Sequence, residues 1–426
     1  MIIEKSLKHI WYPTARMEDY QIFKPQQVKR AYGSYIEMED GRKIIDAISS
    51  WWCKSLGHCH PRLQTALFKQ ASKFEHIMQP HMANEATANL SEKLAGLTKT
   101  LNKVFYASDG STAVEIALKM AIHAHKNQGH LKRTKFIALS NGYHGETIAT
   151  LSVSDVGKYK AAYNSLLFKS NFIPGLPYVS GVKSELWHNC ESHFKNTEYF
   201  LEKHADNIAA IIVEPIVQGA GGMKIYSQYF LKKLREWSKK HNIYLIADEI
   251  MTGIGRTGKM LACEHANIEP DFLCLSKGLT SGMLPLSVCL TSQEIYDAFY
   301  NNDPFLHSNT HYGNALCASV ALEVLNIFEE ENIIEKTSKL NMTAMLQKIA
   351  NSTGLITNIR GVGAMAAADF IGIDPFKFYQ NAMKYGAILR PLENSLYWLP
   401  PLNISSKTLA ELADITKAAL LDSRKL

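Results

Sequence analysis

Short apolar runs alternate with helical patterns through the middle of the chain. Four of these runs have the length of a strand, and they cover residues 134–140, 208–214, 243–248 and 271–276. In residues 112–126 and 229–240, apolar side chains recur every three or four positions, as on one face of a helix. Continuously apolar strands separated by helices predict an α/β fold whose mostly parallel sheet is covered by helices.

The two ends of the chain show a different pattern. Residues 31–38 and 43–48 predict a β-hairpin around a turn at Glu39-Asp40-Gly41. The C-terminal part predicts a long helix from Val320, an irregular sheet over 361–371 and a closing helix. We therefore expect a large central domain, residues 56–319, and a small α/β domain formed by residues 1–55 together with residues 320–426.

Composition excludes several classes of protein. At roughly 100–200 residues per domain, 426 residues suggest two or three domains. An apolar content of 46% with 20% charged residues is ordinary for a globular protein, and it excludes a disordered or collagen-like chain. The net charge is only +6, and the basic residues form short groups without interleaved aromatics, so we expect no nucleic-acid partner.

The cysteines and the lengths of the apolar runs indicate the cellular compartment of the protein. Seven cysteines, an odd number without a CxxC spacing, indicate reduced thiols in a reducing compartment. The first residues lack the apolar segment of a secretory signal, and no run of about 18 apolar residues occurs. We expect a cytoplasmic protein with no membrane contact. The histidines and cysteines lack metal-ligand spacing, so we expect no metal.

Asp248 and Lys277 stand at the ends of two successive predicted strands. Ligands of parallel α/β sheets bind beyond the carboxyl ends of the strands. Each residue alone is more commonly a turn cap or a surface lysine. Together they match the needs of pyridoxal phosphate, because a lysine forms the Schiff base and an acid keeps the pyridine nitrogen protonated.

Two further segments lie at predicted strand or helix ends. Residues 108–112 lead into the predicted helix, and the small residues Gly110 and Ser111 allow an anion to approach its free N–H groups. An ordinary helix cap is the alternative. Tyr143 follows the strand at 134–140 and is suited to stacking on a flat heteroaromatic ring, whereas the neighbouring His144 fits either a functional or a structural role.

A glycine-rich segment, residues 253–260 (GIGRTGKM), nearly matches a P-loop. The Ser or Thr that binds magnesium in a P-loop is replaced by Met260, and five residues separate the glycines from their strand. A P-loop NTPase is therefore a distant alternative. A non-catalytic binding protein is another, although it would not need a lysine paired with Asp248.

Residues 246–266 (IADEIMTGIGRTGKMLACEHA) and 270–278 (PDFLCLSKG) resemble the cofactor-lysine signature of the class III, fold-type I, pyridoxal-phosphate-dependent aminotransferases. Further similar segments are residues 9–11, 49–52, 141–145, 214–222 and 388–391, so the resemblance covers essentially the whole chain. It implies a large cofactor-binding domain, a small domain from both termini, and a homodimer with shared active sites.

The resemblance also implies residue roles. Lys277 and Asp248 correspond to the catalytic Schiff-base lysine and the pyridinium partner. Thr310 corresponds to a phosphate ligand lent by the other subunit, and Arg390 to an arginine that pairs with a substrate carboxylate. The implied cofactor contacts are Gly110, Ser111, Tyr143, Asp248, Lys277, Asn309 and Thr310. The implied substrate contacts are Trp51, Tyr143, Lys277, Ser308 and Arg390.

Within the family, the double tryptophan at 51–52 and Arg390 favour the branch that aminates 8-amino-7-oxononanoate to 7,8-diaminononanoate in biotin biosynthesis, with S-adenosylmethionine as donor. Ornithine and 4-aminobutyrate aminotransferases are less similar. Three departures concern the substrate site: Thr14 stands where a tyrosine is expected, Glu146 replaces Asp, and Ser308-Asn309 replace Gly-Pro. Lysine or an ω-amino acid therefore stays open as the donor.

Overall fold

Strands form four sheets in the computed structural model, which describes residues 1–424. In chain order the strands are β1 (Val28–Tyr32), β2 (Tyr35–Met38), β3 (Lys43–Asp46), β4 (Lys103–Ala107), β5 (Lys135–Leu139), β6 (Asn171–Ile173), β7 (Tyr178–Val179), β8 (Ile208–Val213), β9 (Val217–Gln218), β10 (Lys224–Tyr226), β11 (Tyr244–Asp248), β12 (Phe272–Leu275), β13 (Ser287–Thr291), β14 (Ile356–Val362), β15 (Met365–Phe370), β16 (Ala387–Ile388) and β17 (Ser395–Trp398).

The central sheet has seven strands in the order β4-β13-β12-β11-β8-β5-β6. Only β13 runs antiparallel to its neighbours. Every residue of β8, β11, β12 and β13 is buried. Burial on both faces explains why these strands are continuously apolar. The predicted α/β fold with a mostly parallel sheet is confirmed, and the four predicted strands are present with no bound shifted by more than one residue.

The helices of the chain pack partly on the central sheet and partly on the smaller sheets. They are α1 (Ile2–His9), α2 (Asp19–Ile22), the turn α3 (Ser49–Trp52), α4 (Pro61–Ala71), α5 (Glu85–Ala95), α6 (Gly110–Asn127), α7 (Ile148–Ser152), α8 (Gly157–Lys160), α9 (Glu185–His188), α10 (Glu191–Glu202), α11 (Gln228–Lys240), α12 (Gln293–Asp297), α13 (Ala315–Glu330), α14 (Ile333–Ser338), α15 (Met342–Thr353), α16 (Pro375–Tyr385) and α17 (Ser406–Leu421). None of the helices within residues 1–424 has the length and apolar character needed to span a membrane.

Helix α6 begins at the edge of the sheet and packs across it. Its N-cap Asp109 accepts a hydrogen bond from the backbone N–H of Thr112 at 3.0 Å, which satisfies one of the free donors of the first turn. The buried side of the helix is rich in small residues such as Ala113, Ala117 and Ala121, which allow close packing on the sheet. The helix starts two residues before the predicted 112–126, so Gly110 lies in its first turn.

Both termini contribute to one smaller unit. The N-terminal strands β1, β2 and β3 form a sheet with the C-terminal strand β16, which runs parallel to β3. The predicted strand over 31–38 is wrong in one respect, because it is divided by a turn at Gly33, whose φ is +52°. Glycine adopts this left-handed conformation without a Cβ penalty, so the segment forms two hairpins instead of one.

The long C-terminal helix also begins earlier than predicted. Helix α13 starts at Ala315, because the side chain of Asn314 caps it by accepting a hydrogen bond from the N–H of Cys317 at 3.1 Å. The boundary expected near Val320 therefore lies inside a helix, and the division at residues 55 and 319 stays a prediction. The expected sheet at 361–371 is the hairpin of β14 and β15, which pairs with β17.

Candidate active site

A cavity of about 880 Å³ opens at the carboxyl edge of the central sheet, where β8, β11 and β12 end. Residues from both the central part and the smaller unit line it. Seven of the predicted site residues are brought together here, namely Trp51, Gly110, Ser111, Tyr143, Asp248, Lys277 and Arg390. The rule that ligands bind beyond strand carboxyl ends thus located the cavity correctly.

Lys277 and Asp248 come from neighbouring parallel strands. Asp248 is the last residue of β11 and pairs in register with Cys274 of β12, three residues before Lys277. Burial lowers the pKa of Lys277, and the negative charges of Asp248 and Glu214 offset this only in part. A lowered pKa favours the neutral amine, which is the form that acts as a nucleophile and accepts protons.

The carboxylate of Asp248 is held on both oxygens. Its Oδ2 lies 2.8 Å from Nδ1 of His144, and its Oδ1 accepts a 3.2 Å hydrogen bond from the N–H of Ile250. Asp248 and His144 are 5% and 2% exposed. His144, left open between two roles by the sequence, is a residue that positions this carboxylate.

Glycines allow close packing around the start of α6, which also lines the cavity. A Cβ atom added to Gly110 would lie 2.9 Å from Cδ1 of Ile250, and one added to Gly145 would lie 2.3 Å from the hydroxyl oxygen of Ser111. The first N–H groups of α6 have no partner within the helix, and they carry the positive end of its dipole. This part of the cavity is therefore suited to an anion.

Glu214 is a site residue that the sequence analysis did not single out. Its two carboxylate oxygens accept hydrogen bonds from the backbone N–H groups of Tyr143 and Gly219, both at 2.9 Å. Burial raises its pKa to about 7. Glu214 directly follows β8, so the strand-end rule that identified Asp248 would also have identified this residue.

Arg390 and Trp51 also line the cavity. The guanidinium carbon of Arg390 is 5.0 Å from the ring centroid of Trp51. Nη2 of Arg390 donates hydrogen bonds to the carbonyl oxygen of Thr14 at 2.6 Å and to its hydroxyl at 3.1 Å. Thr14, which departs from the family pattern, is thus a direct partner of the predicted carboxylate-binding arginine.

Ser308, Asn309 and Thr310 are not among the residues that line this cavity. Ser308 and Thr310 are exposed, and Asn309 is half-buried. Their roles stay predictions, and for Thr310 the prediction requires a second subunit.

The glycine-rich segment 253–260 has no phosphate-binding geometry. No α-helix begins at its end among the described residues, and a 3₁₀-helix at Ala262–Ala266 follows instead. A Cβ atom added to Gly258 would lie 3.3 Å from Cα of Gly363, so the C-terminal hairpin covers the loop. The buried guanidinium of Arg256 donates to the carbonyl oxygens of Ala364 and Pro400. The P-loop alternative is wrong, because the segment joins two parts of the fold.

Comparison with known proteins decides the family. The family model of class III aminotransferases matches residues 17–420. The chain belongs to the class III aminotransferases. Among curated aminotransferases it is similar to the adenosylmethionine-8-amino-7-oxononanoate aminotransferases of Helicobacter pylori (40% identity, covering 96% of both chains) and Aquifex aeolicus (35% identity, covering 98% of this chain and 96% of that one).

Solved aminotransferase structures have the same fold. The Methanocaldococcus jannaschii adenosylmethionine-8-amino-7-oxononanoate aminotransferase superposes with a TM-score of 0.91 at 31% identity, over 99% of each chain. An amine transaminase from an uncultivated Pseudomonas species, in a PLP-bound form, gives a TM-score of 0.89 at 29% identity, over 97% of this chain and 98% of the other. The predicted family, the fold-type I architecture and the pyridoxal phosphate cofactor are confirmed.

The residues of the cavity fit this aminotransferase cofactor. The buried carboxylate of Asp248 suits a protonated pyridine nitrogen, and the amine of Lys277, with its lowered pKa, suits the aldehyde. The start of α6, where the small residues Gly110 and Ser111 line the cavity, suits the phosphate. Tyr143, half-buried on the cavity wall, suits the flat ring.

Proposed function

We propose that this aminotransferase transfers an amino group from S-adenosylmethionine to the ketone of 8-amino-7-oxononanoate, which yields 7,8-diaminononanoate in biotin biosynthesis. The observation that carries the proposal is the full-length similarity to enzymes named for this reaction, at 31–40% identity in several lineages. The shape and charge of the cavity support it.

The acceptor carries two reactive or charged groups that need different partners in the cavity. Its ketone must reach the amine-transferring group, and its carboxylate, several carbons away, needs a cation. Lys277 and Arg390 both line the cavity and supply these two partners. Because Thr14 is bound through Nη2 of Arg390, and no other hydrogen bond of this guanidinium is formed within residues 1–424, its remaining N–H groups suit a carboxylate. Trp51 and Trp52 provide an apolar wall for the chain of carbons between the two groups.

Each polar residue of the cavity has a separate task. Pyridoxal phosphate, when bound, supplies an electron sink that stabilises negative charge on the donor carbon. Lys277 carries the cofactor and, through Nζ, accepts the proton that leaves this carbon. Asp248, oriented by His144, keeps the pyridine nitrogen protonated. The N–H groups of Gly110 and Ser111 hold the phosphate.

One lining carboxylate, Glu146, suits a cationic donor. It accepts a 3.0 Å hydrogen bond from the hydroxyl of Tyr143, whereas the lining acids Asp19 and Glu393 are paired with Arg16 at 3.6 Å and Lys158 at 2.9 Å. S-adenosylmethionine, with a sulfonium and an ammonium group, suits the charge of Glu146. Lysine suits it as well, and an ω-amino acid donor stays the alternative because Thr14 replaces the expected tyrosine.

We further propose that the enzyme is a cytoplasmic homodimer whose active sites are shared. The exposed segment with Ser308, Asn309 and Thr310 supports shared sites, because residues with an implied cofactor role lie on the surface of a single chain. The scattered cysteines support a cytoplasmic location of the enzyme.

A half-reaction panel tests the reaction. The purified holoenzyme is mixed with S-adenosylmethionine, lysine or an ω-amino acid, and the absorbance of the bound aldehyde is followed. We expect S-adenosylmethionine to convert it fastest, and 8-amino-7-oxononanoate then to restore it with formation of the diamine. If lysine converted the bound aldehyde and S-adenosylmethionine did not, lysine would be the donor. Failure to aminate 8-amino-7-oxononanoate with any donor would overturn the proposed function and leave the family assignment intact.

A further inference from the structure

The turn α3, which carries both cavity tryptophans, has an unusual backbone. Ser49, Ser50, Trp51 and Trp52 have φ values of +51°, +42°, +73° and +72°. In this left-handed region the Cβ atom of an L-residue lies too close to the following carbonyl oxygen, so non-glycine residues adopt it singly and rarely in succession. Such a turn persists only where its surroundings hold it in place.

Asp46 holds this turn at Ser50, and the hydroxyl of Ser49 adds a 2.6 Å hydrogen bond to the carbonyl oxygen of Leu399. Its side chain is fully buried at the end of β3, and Oδ1 accepts a 2.9 Å hydrogen bond from the N–H of Ser50. Oδ2 accepts a 2.7 Å bond from the Ser50 hydroxyl and lies 2.8 Å from Nε2 of His58. Both oxygens are therefore used, and the carboxylate fastens the N-terminal half of the turn.

His58 is itself fixed to the smaller unit. Its backbone N–H and carbonyl group pair with the carbonyl group and N–H of Gly33, at 2.7 and 3.0 Å. The side chain of His58 is 11% exposed and faces Asp46. Asp46, Ser50 and His58 thus connect the turn to two separate points of the N-terminal sheet.

The turn determines where the two indole rings lie. Trp52 is 9% exposed, donates from Nε1 to the hydroxyl of Tyr397 at 3.0 Å, and has its ring centroid 5.0 Å from Nζ of Lys277. Trp51 points its ring toward Arg390. An ordinary right-handed turn would move both rings away from these partners.

We infer that Asp46, acting through Ser50 and His58, is a positioning residue that sets the substrate wall of the cavity by forcing α3 into its left-handed form. Its effect on acceptor binding rests on the proposed function, whereas its effect on the position of Trp52 does not. None of its hydrogen bonds reaches Asp248, Lys277 or the start of α6, so cofactor attachment does not depend on it.

Three variants and one control test this role. Asp46→Ala removes the carboxylate, Ser50→Gly relieves the backbone because glycine tolerates positive φ, and the third variant combines both substitutions. Asp374→Ala is the matched control. Asp374 also accepts two backbone hydrogen bonds, from Phe376 and Lys377, but does not line the cavity.

We expect Asp46→Ala to bind a full complement of cofactor and to raise the KM for 8-amino-7-oxononanoate about tenfold with little change in kcat. Addition of Ser50→Gly should recover most of this loss. Asp374→Ala should lower thermal stability without changing KM. A wild-type KM in Asp46→Ala, or no recovery in a folded double variant, would overturn the inference.

Tryptophan emission gives a readout that needs no substrate. Cofactor attached to Lys277 quenches a nearby indole, so release of Trp52 from its position should raise the emission of the Asp46→Ala holoenzyme. The rise should vanish in a Trp52→Phe background, because that variant keeps the other five of the six tryptophans and lacks only the one to which the rise is assigned. An unchanged emission would count against the inference even if 8-amino-7-oxononanoate proved not to be the acceptor.

Discussion

Nδ1 of His144 lies 2.8 Å from Oδ2 of Asp248, and both side chains are almost fully buried in the wall that also carries Lys277. Because the N–H of Ile250 holds the other carboxylate oxygen, the direction of the Asp248 carboxylate is set by the protein alone. An acid that is oriented in advance loses little freedom when the cofactor binds, so its full charge is available to the pyridine nitrogen.

We expect Asp248→Asn to keep the fold and to lose most of the turnover, because a neutral amide does not hold the pyridinium proton. A loss of about 1.4 kcal/mol of transition-state stabilisation is tenfold in rate, and a shielded ion pair should exceed it. Both half-reactions are measured after the cofactor content has been matched. His144→Gln, which keeps a side-chain donor, should cause a smaller loss. Near-wild-type turnover of Asp248→Asn would show that Asp248 is not needed to keep the pyridine nitrogen protonated.

Glu214 should make stability depend on pH. Its pKa is raised from 4.5 to about 7, so the folded protein favours the protonated carboxyl group. The stability that this group contributes is present below about pH 4.5 and is lost as the pH rises through 7. Glutamine does not titrate, so Glu214→Gln lacks this pH-dependent loss. The free energy of unfolding of Glu214→Gln minus that of the wild type should therefore increase by about 1–3 kcal/mol when the pH is raised from 5 to 8. Urea unfolding at the two pH values measures this, and a difference of opposite sign would contradict it.

Arg390→Ala should impair the acceptor half-reaction more than the donor half-reaction. Loss of a charge-assisted contact worth about 1.5–3 kcal/mol predicts roughly ten- to hundred-fold weaker use of 8-amino-7-oxononanoate. The donor does not need a carboxylate at that distance from the reacting atom. Separate stopped-flow measurements of the two half-reactions distinguish the cases. Equal damage to both would show that Arg390 acts mainly through its contacts with Thr14 and Trp51.

A mixing experiment tests the shared active sites. We expect Lys277→Ala and Thr310→Ala subunits each to be inactive or impaired alone, and they are combined under conditions of proven subunit exchange. We expect activity to return, because a hybrid dimer has one site with both native residues. Absence of recovery would rule out that Thr310 serves the neighbouring subunit.

The cofactor half of the site could be predicted because its residues lie at strand ends. Asp248 and Lys277 close two apolar runs that are easy to recognise, and adjacent parallel strands place their carboxyl ends together. The same reasoning was available for Glu214. The start of α6 was also recognisable, since a small-residue segment led into a clear helical pattern.

The substrate half could not be predicted in this way. Arg390 and its partner Thr14 are 376 residues apart, and no local pattern brings them together. The left-handed turn at Ser49–Trp52 contains no glycine, so its conformation depends on Asp46 and His58 and not on the propensities of its own residues. Tertiary contacts of this kind override local preference.

The parallel pairing of β16 with β3 has a consequence for synthesis on the ribosome. Ile45 donates its N–H to the carbonyl oxygen of Gly386 at 2.8 Å, and Asp46 lies in register with Ile388. The inner edge of β3 therefore stays without its partner strand until nearly the whole chain has emerged, whereas the central sheet can assemble earlier. The tryptophan wall next to Asp46 is completed after the cofactor-binding half, so a chain that terminates before residue 386 would retain the cofactor residues without the complete substrate wall.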